Sequence, residues 1–108
     1  MADVEDDASH ATVERTSDGS DPLVISIGGE VDMSNVQTVE SALRGVLVDP
    51  PELVVFDLSD LSFIDSSGIA ILLRFAEKIG RLELRNPSST VQRIIQATGL
   101  SDVLRVEP

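Results

Sequence analysis

A chain of 108 residues and 11.6 kDa fits a single domain, and 42% hydrophobic residues with a mean hydropathy of +0.13 can fill one core. Aromatics are only 3%, so that core is built from Val, Ile, Leu and Ala, and the lack of cysteine excludes disulfides and thiolate metal sites. A net charge of -11 with no basic stripe argues against nucleic-acid and anionic-membrane surfaces. No apolar run nears the ~20 residues of a membrane span. The acidic start Met-Ala-Asp-Val-Glu-Asp-Asp is unlike a secretory signal, so no membrane insertion and a cytoplasmic location are expected.

Residues 1–10 are dense in Asp and Glu without apolar periodicity and read as a disordered acidic tail, ahead of a folded domain over 11–108. The sole histidine, His10, has no second histidine with which to hold a metal. Ala11 to Thr16 and Leu23 to Ile27 read as an edge hairpin around the turn cluster Ser17-Asp18-Gly19-Ser20-Asp21-Pro22. Gly28-Gly29-Glu30-Val31-Asp32 reads as a loop leaving the second strand. Ser34 and Gln37 are spaced as a capping box, and Val36, Val39, Leu43 and Val46 form a helical stripe stopped by Asp49-Pro50-Pro51. Leu53 to Leu58 is apolar on both faces until Asp57, as a central strand is. A loop carrying Asp57, Asp60 and Asp65 follows, then a helix from Ser66 to Ile79 with Gly80 as its C-terminal cap.

Ile69, Leu72, Leu73 and Ala76 form the core stripe of that helix. Ile71 and Phe75 lie off it; they either pack on the neighbouring helix or, if exposed, mark a docking face. Arg81-Leu82-Glu83-Leu84-Arg85 alternates, so Leu82 and Leu84 should be buried while Arg81, Glu83 and Arg85 face water. Ser88 or Ser89 caps a further helix with Val91, Ile94 and Ile95 inward and Gly99 at its end, before a closing strand from Val103 to Val106. The order β-β-α-β-α-β-α-β predicts an α/β fold: a mixed sheet with an N-terminal edge hairpin, parallel later strands and helices mainly on one face.

The chemistry narrows by elimination. Ser66 or Ser67 as a nucleophile lacks a base, and Asp65-Ser66-Ser67-Gly68 is not the Gly-x-Ser-x-Gly elbow of α/β-hydrolases. No nucleotide-binding motif is visible, so neither enzyme nor cofactor is expected. Asp57 and Asp60 could hold a hard cation or simply cap their loop. A phosphoacceptor role for Asp57 would need a lysine near the end of a late strand, but the only lysine, Lys78, lies within a helix. What remains is a pair of serines at a strand-to-helix turn, where helix N–H groups lack partners and a phosphoryl group is favoured. On spacing alone, the reading of Ser66 as an ordinary N-cap is the favoured one, and both can hold.

Leu58-Ser59-Asp60-Leu61-Ser62-Phe63-Ile64-Asp65-Ser66-Ser67-Gly68-Ile69 resembles the signature of the STAS domain, and more narrowly that of bacterial anti-sigma factor antagonists. The resemblance extends to Gly29-Glu30-Val31-Asp32, Asn86-Pro87-Ser88 and Thr98-Gly99-Leu100. It implies a singly wound β/α superhelix, in which many relatives carry one more C-terminal helix than a chain ending at Pro108 would. It also implies that Ser66, with Ser67 as the alternative, is the phosphorylated serine, and that Gly28-Gly29-Glu30-Val31-Asp32 walls the site with Asp32 nearby. The partner it implies is an anti-sigma factor that is itself an ATP-using serine kinase, bound by the bare form and freed on phosphorylation, with a PP2C-type phosphatase resetting the switch. Asp32, Asp65, Ser66, Ser67, Gly68, Ile71 and Phe75 are the expected partner-binding residues. The alternative within the same family is a regulatory or scaffold subunit of a transport or stress-signalling complex.

Overall fold

The computed structural model describes residues 11–16, 22–99 and, in backbone only, 105–107. Its elements are β1 (Thr12–Arg15), β2 (Leu23–Val31), α1 (Val36–Val46), β3 (Leu53–Asp57), β4 (Leu61–Ile64), α2 (Ser66–Lys78), β5 (Arg81–Arg85), α3 (Ser89–Ala97) and β6 (Arg105–Glu107). The sheet runs β1-β2-β3-β5-β6, antiparallel between β1 and β2 and parallel from there on, as the helical crossovers require. The expected acidic tail, most of the hairpin turn and, of the expected closing strand, Val103 and Leu104 lie outside the described residues.

One face of the sheet carries the core. Leu23, Ile25, Ile27, Val54, Phe56, Leu82 and Leu84 alternate onto it and meet Val39 and Leu43 of α1, Ile69 and Leu72 of α2, and Val91 and Ile95 of α3. On the other face lies the row Val24, Val55 and Glu83, aligned strand to strand. Glu83 does not face water as its alternation suggested: only 7% of it is exposed. Arg81 and Arg85, two residues away on the same strand face, close over its carboxylate at 3.1 and 3.2 Å. Their long stems exclude solvent where a short side chain would not.

Several boundaries differ from the sequence reading, and each has a local cause. β2 does not stop at Ile27 but runs through the two glycines to Val31, because a further strand, β4, pairs with its last residues in parallel. That strand lies where a loop was expected. It follows β3 along the same edge of β2, but pairing shifts from Ser26 opposite Asp57 to Gly29 opposite Leu61, and again to Glu30 opposite Phe63. Each shift inserts one extra residue, so the buried positions are Leu58, Leu61 and Ile64, three apart. Gly29 takes φ 84 beside the second slip, a conformation that suits glycine. The capping box at α1 is also absent. Its N-cap is Asn35 without a side-chain cap bond, and Ser34 Oγ donates instead to Asp32 Oδ1 at 2.6 Å. At the far end of α2 the backbone turns extended at Ile79, so Gly80 is not a left-handed cap.

Candidate functional site

The site is built where β2 and β4 end side by side. Asp57 Oδ1 accepts the Ser59 N–H at 3.0 Å and rounds the chain out of β3, which makes it a loop cap. No group of acidic or histidine side chains among the described residues is arranged to hold a metal ion. β4 then delivers Asp65 to the tip, held to β2 by its own N–H on the Val31 carbonyl at 3.1 Å.

Asp65 is the N-cap of α2 and the hub of the site. Its Oδ1 accepts the Ser67 N–H at 2.9 Å, the Gly68 N–H at 3.2 Å and the Ser67 hydroxyl at 2.5 Å. Its Oδ2 accepts the Met33 N–H at 3.2 Å, which ties the start of α2 to the loop after β2. Burial pushes the Asp65 carboxyl up, but the bonds from the Ser67 hydroxyl and the Gly68, Ser67 and Met33 N–H groups outweigh it, holding it below its ordinary value of 3.8. The carboxylate is therefore ionised at neutral pH and occupies donors of the first helical turn.

This separates the two serines. Ser67 is half-buried, its hydroxyl committed to Asp65. Ser66 is exposed at the first helical position, and its hydroxyl has no hydrogen-bond partner among the described residues. Ser66 is not the cap, and the helix end is less open to an anion than its sequence suggested, since Asp65 already takes two of its N–H groups.

Opposite stands the loop after β2. Asp32 Oδ1 accepts the Ser34 N–H at 2.9 Å, and buried Asn35 staples the loop: its Nδ2 donates to the Glu30 carbonyl at 2.8 Å and its Oδ1 accepts the Asp32 N–H at 3.0 Å. Asn35 had no signal in the sequence beyond its place before an apolar stripe.

Three residues expected at a partner surface are inside the protein. A Cβ on Gly68 would lie 2.6 Å from Ile64 Cγ1 and 2.9 Å from Val31 Cγ1, so the close approach this glycine permits is α2 against its own sheet. Ile71 and Phe75 are 4% and 7% exposed. Phe75 lines a hollow with Arg44, Leu47 and Pro50 at the end of α1, and Glu40 of α1 bridges to Arg74 of α2 at 2.9 Å. The neighbouring helix, the other option the spacing left open, covers this side of α2. In their place the structure exposes Met33 (76%) and Phe63 (40%), one on each segment that Asp65 joins.

The chain is similar to known proteins in sequence and in fold. The family model described as STAS domain matches residues 11–108. The anti-sigma-F factor antagonist RsfB of Mycobacterium tuberculosis is 34% identical over 93 residues, covering 83% of this chain and 76% of the relative. The crystal structure of an anti-sigma factor antagonist from Mycobacterium paratuberculosis superposes with a TM-score of 0.78 at 31% identity, over 91% of this chain and 84% of that one. The anti-sigma factor antagonist SpoIIAA in its unphosphorylated form gives 0.72 at 25% identity, over 88% and 87%. The chain belongs to the STAS domain family, and the three relatives just described are anti-sigma factor antagonists.

Proposed function

We propose that this chain is an anti-sigma factor antagonist whose bare form binds an anti-sigma factor and so frees a sigma factor, and that phosphorylation of Ser66 abolishes the binding. The observation that carries the reading is the contrast between the two serines: Ser66 presents an exposed hydroxyl with no hydrogen-bond partner among the described residues, whereas Ser67 is tied to Asp65. The relatives' names supply the partner class, and the description of the SpoIIAA structure as an unphosphorylated form points to phosphorylation as the modification. The transferring enzyme belongs to the partner, a serine kinase that brings its own ATP, and a PP2C-type phosphatase restores the hydroxyl. These are cytoplasmic events. No helix among the described residues is long and apolar enough to cross a membrane.

Phosphate adds about -1.5 to -2 charges at neutral pH. Asp65 and Asp32 already place negative charge here, and residues 57–69 contain no Lys or Arg. The new charge is therefore felt by whatever docks over Ser66. The test is to incubate the protein with purified anti-sigma kinases of its own genome and ATP, then map phosphate by mass spectrometry and measure binding. Phosphate at Ser66 with loss of binding upholds the proposal. Phosphate on Ser67 alone, or none with stable co-purification of a transport or stress-signalling complex, overturns it.

A further inference from the structure

Among the described residues three large apolar side chains stand exposed: Met33, Val48 and Phe63. Val48 lies in the connection from α1 to β3, at the opposite end of the strands from Ser66. The other two lie on the segments that meet at Asp65, the residue before Ser66. Met33 is bonded through its N–H to Asp65, and Phe63 lies two residues before Asp65, beside Glu30 in the β2–β4 register. Neither is required where it is by the fold. Val31 and Ile64 already fill the inward positions of these strand ends, and the Met33 backbone bond is available to any residue but proline. The segments that carry them, 30–33 and 57–69, hold Glu30, Asp32, Asp57, Asp60 and Asp65 and no basic residue. Glu30 and Asp60 are exposed and Asp32 is half-buried.

We infer that Met33 and Phe63 are the apolar anchors of the surface that docks the anti-sigma partner, framed by Glu30, Asp32 and Asp60, and that the facing surface carries apolar side chains ringed by Lys and Arg. This rests on the reading of Ser66 as the switch and says what surrounds it. An apolar centre with a charged rim is the arrangement in which a few anchors supply the affinity and the rim sets on-rate and salt dependence. It also explains how one phosphate can switch the interface, since a dianion brought against an apolar part of the surface has to be desolvated there without a partner.

The experiment uses the anti-sigma kinase that phosphorylates Ser66 in the panel above, with M33S, F63S, the E30Q/D60N pair and, as control, V48S. Each of M33S and F63S should weaken binding on the order of ten-fold or more. E30Q/D60N should slow association and flatten the salt dependence, and V48S should leave both unchanged. Because these side chains are exposed, every variant should melt with the parent. If the parent binds and is phosphorylated while M33S and F63S bind as tightly, the anchors are wrong and the switch stands. If no kinase in the panel binds the parent, the switch falls and this inference with it. A parent that self-associates at micromolar concentration, and is made monomeric by F63S, would also overturn it, since the patch would then serve a second copy.

Discussion

At the scale of single residues, the site turns on how Asp65 divides its bonds. Because it engages the Ser67 hydroxyl and leaves that of Ser66 free, Ser66→Ala should bind the anti-sigma factor without release, stay folded and take no phosphate. Ser67→Ala should still be phosphorylated at residue 66, read by mass spectrometry. The ionised state of Asp65 gives a second expectation. Its folded pKa lies below 3.8, so the folded state holds fewer protons and the charge contributes stability above that value, lost as pH falls through the lowered folded pKa. Asp65→Asn should thus be less stable than the parent in melts at pH 6, with the gap closing towards pH 3. Asp65→Ala also loses the cap and should cost about 0.5–2 kcal/mol at pH 6. A gap that stays constant between pH 6 and pH 3 would mean that the charge does not hold the clamp.

At the scale of elements, the first turn of α2 is pressed against β2 and β4 so closely that only glycine fits at residue 68. Alanine is the better helix former by about 1 kcal/mol, yet forcing a methyl into this contact should cost about 1–3 kcal/mol. Gly68→Ala should therefore lower the melting temperature, with a spectrum perturbed at Val31 and Ile64; an unchanged or raised temperature would show that the helix can lift at no cost. The sequence placed α2, α3, β5 and the parallel order well, because 3.6-residue and two-residue periodicities survive wherever an element is regular. β4 was illegible for the converse reason. Two register slips space its inward residues three apart, a pattern belonging to neither template, and its Ser and Asp content reads as turn. Ile71 and Phe75 lie off the stripe because α2 is buried on two sides, by the sheet and by α1, so of the two options their spacing leaves open the packed one is realised. The tertiary bond from Met33 to Asp65 and the staple made by Asn35 link segments about thirty and five residues apart, and no local pattern encodes them.

At the scale of the whole molecule, the core lies between one sheet face and the helices, while Ser66 sits outside it on the rim. A phosphate there gains about 0.3–1 kcal/mol from the helix N-terminus. That gain is offset by repulsion from Asp65, which keeps the Ser67 and Gly68 N–H groups for itself. The two terms are of similar size, so the fold should be neutral to modification, within about 1 kcal/mol, which is a few degrees in melting temperature for a domain of this size. At an interface no such offset exists, because a dianion pressed against apolar side chains forfeits its hydration and several kcal/mol with it. The phosphorylated protein should therefore show the parent's melting temperature and chemical shifts away from residues 30–34 and 63–68, while its affinity for the anti-sigma factor falls a hundred-fold or more, on the order of 3 kcal/mol. Ser66→Asp carries a single charge on a shorter arm and should fall between the two. A modified form that melts early, or whose shifts move through β3 and β5, would mean that the phosphate is read by the domain's own core.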